Sequence, residues 1–157
     1  MGLATDPDNV PAGVDLEQLR RVHDSAIATL LGAEVETSLV LCDDTAIAEL
    51  NEAYLQHQGP TDVISFPQLE LTPGVPALLP PGTLLGDVVI SVDTAARQAE
   101  PYPDWELNDE LALLLVHGLL HLCGYDDQTA VERARMQTRE DDLLRACGLG
   151  PVPRDER

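Results

Sequence analysis

The sequence predicts an α+β domain, a small sheet packed by helices. Three observations carry this. Helical and strand-like patterns are interleaved along the chain. Two apolar strand patterns in the middle are separated by the excursion LTPGVPALLPPG, as in a hairpin with a long connection. One helix, containing LALLLVHGLLHLC, is apolar on nearly every side and belongs at the centre.

The elements follow in order. Residues 1–13 are polar and proline-bearing, poorly ordered or with a short strand around Leu3. Asp15 and Gln18 resemble a capping pair, and Leu16, Leu19, Val22, Ile27, Leu30 and Leu31 keep helical spacing until Gly32 ends the helix. Val35 to Cys42 reads as a strand. Asp43, Asp44 and Thr45 cap a second helix running to about Leu55, with Ile47, Leu50 and Tyr54 inward. Asp62 to Phe66 is a short strand stopped by Pro67, and Leu84 to Ser91 is another. Thr94 to Glu100 makes a short helix that PYPD breaks. Asn108 caps the apolar helix, Asp109 to about Cys123. Thr129 and Glu132 form the capping box of a last helix, which ends near Cys147 and Gly148. Residues 150–157 read as a charged tail, and the whole chain, 1–157, as one domain.

Composition narrows the function. The formal net charge is −19, and all nine basic residues are arginines. A broad electrostatic grip on nucleic acid needs basic side chains in number, so any RNA-related reading must overcome this balance. Apolar residues make up 44% of the chain, enough for a core. The three cysteines, Cys42, Cys123 and Cys147, form no CxxC pair and suit a reducing cytoplasmic setting. The N-terminus lacks the pattern of a signal peptide, and no apolar run approaches the ~20 residues that span a bilayer, so no membrane partner is expected.

The stretch HGLLHLCGYDD, His117 to Asp127, carries the chemistry. Burying an imidazole is costly unless its nitrogens find partners. Four-residue spacing puts both rings on one helix face, so His117 and His121 form a bidentate clamp for a metal. Gly124 can end the helix in the left-handed conformation and turn the chain back beneath the rings. Asp127 then follows His121 with the arithmetic of the zincin pattern H-x-x-x-H-x-x-G-x-x-H, a carboxylate replacing the third imidazole. Asp126 reads as a turn residue and Cys123 as core. Where H-E-x-x-H peptidases carry a glutamate base, this chain has Gly118, which lets something approach the helix closely. One divalent metal, Zn2+, held by three protein ligands would leave a position for water and lower its pKa towards ~7.

These residues resemble the YbeY-type endoribonucleases, ribosomal RNA maturation factors with the signature H-G-x-L-H-L-x-G-Y-D-H. PTDVISFP (Pro60–Pro67), LLGDVVIS (Leu84–Ser91), LNEAY and the last helix with Met136 fit in order, over roughly residues 36 to 149. The resemblance implies a small mixed sheet of about four strands packed by helices, with a zincin-like metal helix, and a cytoplasmic, zinc-dependent hydrolase of single-stranded RNA, acting in ribosomal RNA processing and ribosome quality control with the ribosome or a ribosomal protein as partner. On its pattern His117, His121 and Asp127 take the metal positions. Thr61, Asp62 and Ser65 line the cleft and bind substrate, with Asp62 a candidate general base. Attack by a water on the metal and attack by a ribose 2′-hydroxyl both remain open. Two departures stand out: Asp127 replaces the family's third histidine, and Leu55 occupies a position where the family tends to have arginine. Arg97, Arg135 and Arg139 are candidate substitutes.

Two rival readings remain. One is a metallohydrolase of peptide or amide bonds, against which Gly118 counts. The other is a non-catalytic ribosome-associated module with a structural metal, which would call for a fourth protein ligand such as Cys123.

Overall fold

The computed structural model describes residues 2–154. Four strands form one mixed sheet: β1 (Leu3–Ala4), β2 (Val35–Cys42), β3 (Val63–Pro67) and β4 (Thr83–Ser91), in the order β1-β2-β4-β3. β1 runs parallel to β2 and β2 parallel to β4, while β3 closes the edge antiparallel to β4. Among the described residues there are five α-helices: α1 (Leu16–Leu30), α2 (Asp44–Leu55), α3 (Val92–Ala99), α4 (Leu107–Leu122) and α5 (Ala130–Arg145). The mixed sheet and its helices match the expected α+β class. Residues 155–157, the end of the expected tail, lie outside the described residues, as does Met1.

Period-two alternation sorts the sheet into two faces. Val88 and Ile90 of β4 turn to the main core with Leu39 of β2, against α1, α3, α4 and α5. Val89 and Ile64 turn to the other face, where Ile47 of α2 covers them in a small second cluster with Leu50 and Phe66. The central element is α4: Leu111 to Val116 and Gly118 to Leu120 are all buried. Its apolar circumference is explained by the sheet on one side and three helices around the rest.

Several local expectations are corrected. The cap of α4 is Glu106, not Asn108: the Asp109 carboxylate accepts the Glu106 N–H at 2.8 Å, three residues back. Asn108 instead ties α4 to the start of α1, accepting from Asp15 N at 2.8 Å and donating to Gly13 O at 3.0 Å. α3 begins two residues earlier than expected because Ser91, the last residue of β4, caps it by accepting from Thr94 N. Tyr54 does not face inward; it is 68% exposed, its ring meeting Phe66 edge-on at 5.7 Å. The side of α2 that carries Tyr54 reaches past the small apolar patch.

Gly118 permits a close helix–sheet approach. A Cβ there would lie 2.8 Å from Val88 Cγ1 and 3.1 Å from Ser65 Oγ, so the expected close neighbour is the sheet. Ser65 Oγ also donates to the Gly118 carbonyl at 3.2 Å. Gly118→Ala gains up to ~1 kcal/mol of helix propensity but inserts a methyl into a packed layer, at ~1–3 kcal/mol. Overpacking wins: urea unfolding should show a net loss of about 1 kcal/mol, and a stabilised variant would contradict this contact.

Candidate metal centre

α4 ends in a Schellman turn built by its own sequence. Gly124 takes φ +97°, Tyr125 N donates to Leu120 O at 3.0 Å, and Gly124 N donates to His121 O at 3.0 Å. The turn is fixed from outside as well, since a Cβ at Gly124 would run into the Leu71 carbonyl oxygen in the excursion between β3 and β4. The reversal does two things. It aims the Tyr125 carbonyl at His121, whose Nδ1–H donates to it at 3.0 Å. It also returns Asp127 to the two rings.

His117 Nε2 and His121 Nε2 are 3.2 Å apart, and Asp127 Oδ2 lies 3.8 Å from the first and 3.5 Å from the second. Ligand atoms on a tetrahedral ion with bonds of about 2.0–2.1 Å are about 3.3 Å apart. Among the described residues these three form the convergent group that could hold a metal ion. Their chemistry fits as well as their spacing. His121 spends its Nδ1 proton on a carbonyl, and His117 spends its own on the Glu140 carboxylate, 2.6 Å away. In the neutral rings both Nε2 atoms then carry lone pairs, and Asp127 adds a third acceptor. Three acceptors facing one another need a positive charge between them, a proton or a metal.

Glu140 was not legible as a site residue. It sits in α5 on the same stripe as Met136, Leu143 and Leu144, its side chain 4% exposed. An acid on an apolar stripe was the available signal. It forms the carboxylate–histidine pair that orients a metal ligand and fixes its tautomer.

The other expected residues divide. Asp62 precedes β3 and lines a cavity of about 180 Å³ with His117, Asp127 and Glu140. Thr61 hydrogen-bonds Asp62 at 3.4 Å. Ser65 is engaged under α4 with Gly118. Arg97 pairs with Asp44 at 2.8 Å; that carboxyl is drawn down to about 2 by the Arg97, Thr94 and Ser91 hydrogen bonds. Arg135 lies 5.0 Å over the Tyr125 ring. None of Arg97, Arg135 and Arg139 lines the cavity; Arg133 and Arg154 do. Asp126 accepts from Asp127 N in the turn, as expected. Cys123 is buried, its thiol pushed up to about 12 by that burial.

Charge separates the two histidines. Burial works against protonating His117, but the Glu140 hydrogen bond and charge, helped by Asp62 and Asp127, outweigh it and raise its pKa. Burial and then the neighbouring His117 charge lower that of His121. In the metal-free protein His117 is therefore the more readily protonated of the two. A raised folded-state pKa contributes stability below the ordinary value of about 6.5 that is lost as pH rises through the folded value. NMR titration of the metal-free protein should find His117 titrating above and His121 below that ordinary value, with Glu140→Gln moving His117 downward. The reverse order would contradict the assigned tautomers.

The family profile described as Endoribonuclease YbeY matches residues 9–148. The Endoribonuclease YbeY of Moorella thermoacetica is 48% identical over 143 residues, covering 88% of this chain and 91% of that protein. The Endoribonuclease YbeY of Syntrophotalea carbinolica is 42% identical over 133 residues, covering 83% and 85%. A Thermotoga maritima protein solved in solution shares the fold, with TM-score 0.57 at 18% identity over 98% of this chain and 99% of that one. The chain belongs to the Endoribonuclease YbeY family.

Proposed function

We propose that this protein is a metal-dependent endoribonuclease that cleaves single-stranded RNA during ribosomal RNA maturation, with Zn2+ held by His117, His121 and Asp127. The observation that carries this is the convergence of three acceptor atoms beside a cavity, in a chain whose relatives are named endoribonucleases. Two imidazoles and one carboxylate make a three-ligand set of the catalytic zinc type. Such an ion acts as a Lewis acid towards a phosphoryl oxygen and lowers the pKa of a bound water.

The protein's own groups supply the rest. Glu140 and the Tyr125 carbonyl hold the two rings with their Nε2 atoms towards the ion's place. Asp62, on the cavity wall, is the carboxylate offered to take a proton from the attacking hydroxyl or water. Arg133 lines the same cavity and can neutralise a phosphodiester, a role that Leu55 does not supply. It answers part of the charge objection, since a cation beside the cavity acts on a phosphate at short range whatever the net charge of −19, although Asp62, Asp127 and Glu140 line the same space. The acidic remainder supports delivery of the RNA by a ribosomal partner in the cytoplasm rather than a tight grip on naked RNA.

Both rival readings lose support. For a peptidase, position 118 would have to carry the glutamate base, yet Gly118 is packed against Val88 and Ser65 and a Cβ there is already too close. For a structural site a fourth protein ligand such as Cys123 would have to join, and the convergent group among the described residues is His117, His121 and Asp127 without it.

Metal content by mass spectrometry alongside cleavage of single-stranded RNA, duplex RNA and a peptide panel tests the proposal. Wild type should carry about one metal per chain and cut single strands; His121→Ala should lose the metal and at least ~100-fold of the cleavage rate. Undiminished RNA cleavage by His121→Ala, or cleavage of peptides in place of RNA, would overturn it.

A further inference from the structure

A buried carboxylate is stable only if its oxygens are met by donors. Glu140 meets this condition with two different partners. Its Oε2 receives His117 Nδ1–H at 2.6 Å, and its Oε1 receives Arg154 Nη2 at 3.1 Å. Arg154 lies past the end of α5, in a segment that doubles back along that helix. The same Nη2 reaches Asp141 Oδ1 at 2.8 Å and the Gln137 carbonyl at 3.3 Å, while Val152 packs against the main core. Far from being only a charged tail, residues 151–154 are laid against the helix that supports the metal ligand. The family match stops at residue 148, six positions before this arginine.

We propose that Arg154 is a positioning residue of the metal centre: it fixes Glu140, and through Glu140 the ring of His117. The inference rests on the reading of His117, His121 and Asp127 as metal ligands. A carboxylate rotates as a unit, so a donor on Oε1 determines where Oε2 points. Without Arg154, Oε1 is a nearly buried acceptor with no donor, and the group turns towards the cavity to find one. Oε2 then leaves the line of His117 Nδ1–H, and the ring is free to swing out of register with His121 and Asp127. Partners of metal ligands are commonly worth 10- to 100-fold in affinity; one bond further out, the effect belongs at the low end.

Zinc affinity, measured by competition with a chromophoric chelator, tests this on wild type, Arg154→Ala, Arg154→Lys, Glu140→Gln and the Arg154→Ala/Glu140→Gln double variant, with thermal unfolding of each metal-free form. Arg154→Ala should bind zinc about tenfold more weakly, with Arg154→Lys between it and wild type. In the Glu140→Gln background the added loss from Arg154→Ala should fall to about twofold or less, because the link is already broken there. That non-additivity is the signature a merely structural role would not produce. Zinc affinity of Arg154→Ala equal to wild type, or an equal loss in both backgrounds, would overturn the inference while leaving the metal centre intact. A wild type that takes up no stoichiometric metal would instead overturn the reading beneath it.

Discussion

Two imidazole nitrogens held 3.2 Å apart, each with its proton spent on the far side of the ring, are the constraint on which this molecule is organised. Like acceptors at that distance repel, and Asp127 adds a negative charge to the same point. The arrangement calls for a positive charge among them, a proton or a metal ion. Everything that fixes it comes from elsewhere in the fold. The sheet and three helices bury α4, so beyond its first turn only His117 and His121 stay partly exposed. The Schellman turn at Gly124 supplies both a carbonyl for one ring and the third acceptor. α5 supplies the carboxylate for the other.

Much of this was legible in the sequence because it is local. Histidine spacing of four, a glycine after the helix and an acid three residues further on are short-range facts with one geometric reading. The capping box at Thr129, the apolar helix and the strand pair around a proline-rich excursion were legible for the same reason. What was missed depends on groups distant in sequence. Glu140 is 23 residues from His117, and its role appears only when α5 lies on α4. Asn108 has the chemistry of a cap, yet it is used to join two helix starts, and Glu106 and Asp109 cap in its place. Tyr54 has the spacing of an inward residue, but the patch beneath α2 is too small to receive it.

Gly118 shows how one residue constrains both fold and function. It sits beside His117 in sequence, where H-E-x-x-H peptidases keep their base. Here the helix presses on β4 and β3 at that point, and Ser65 bonds the backbone that the missing side chain leaves accessible. The close packing that anchors α4 removes the position from catalysis. In the proposed reading, proton transfer falls to Asp62 and charge neutralisation to Arg133, both of which line the cavity beside His117 and Asp127.

The central claim is that two imidazoles and one carboxylate hold the ion without sulfur. Zinc-edge X-ray absorption of the metal-loaded protein tests it most directly. The account predicts nitrogen and oxygen neighbours at about 2.0–2.2 Å, including two imidazoles, and no sulfur shell. A sulfur neighbour at about 2.3 Å, or a spectrum with fewer than two imidazoles, would contradict it.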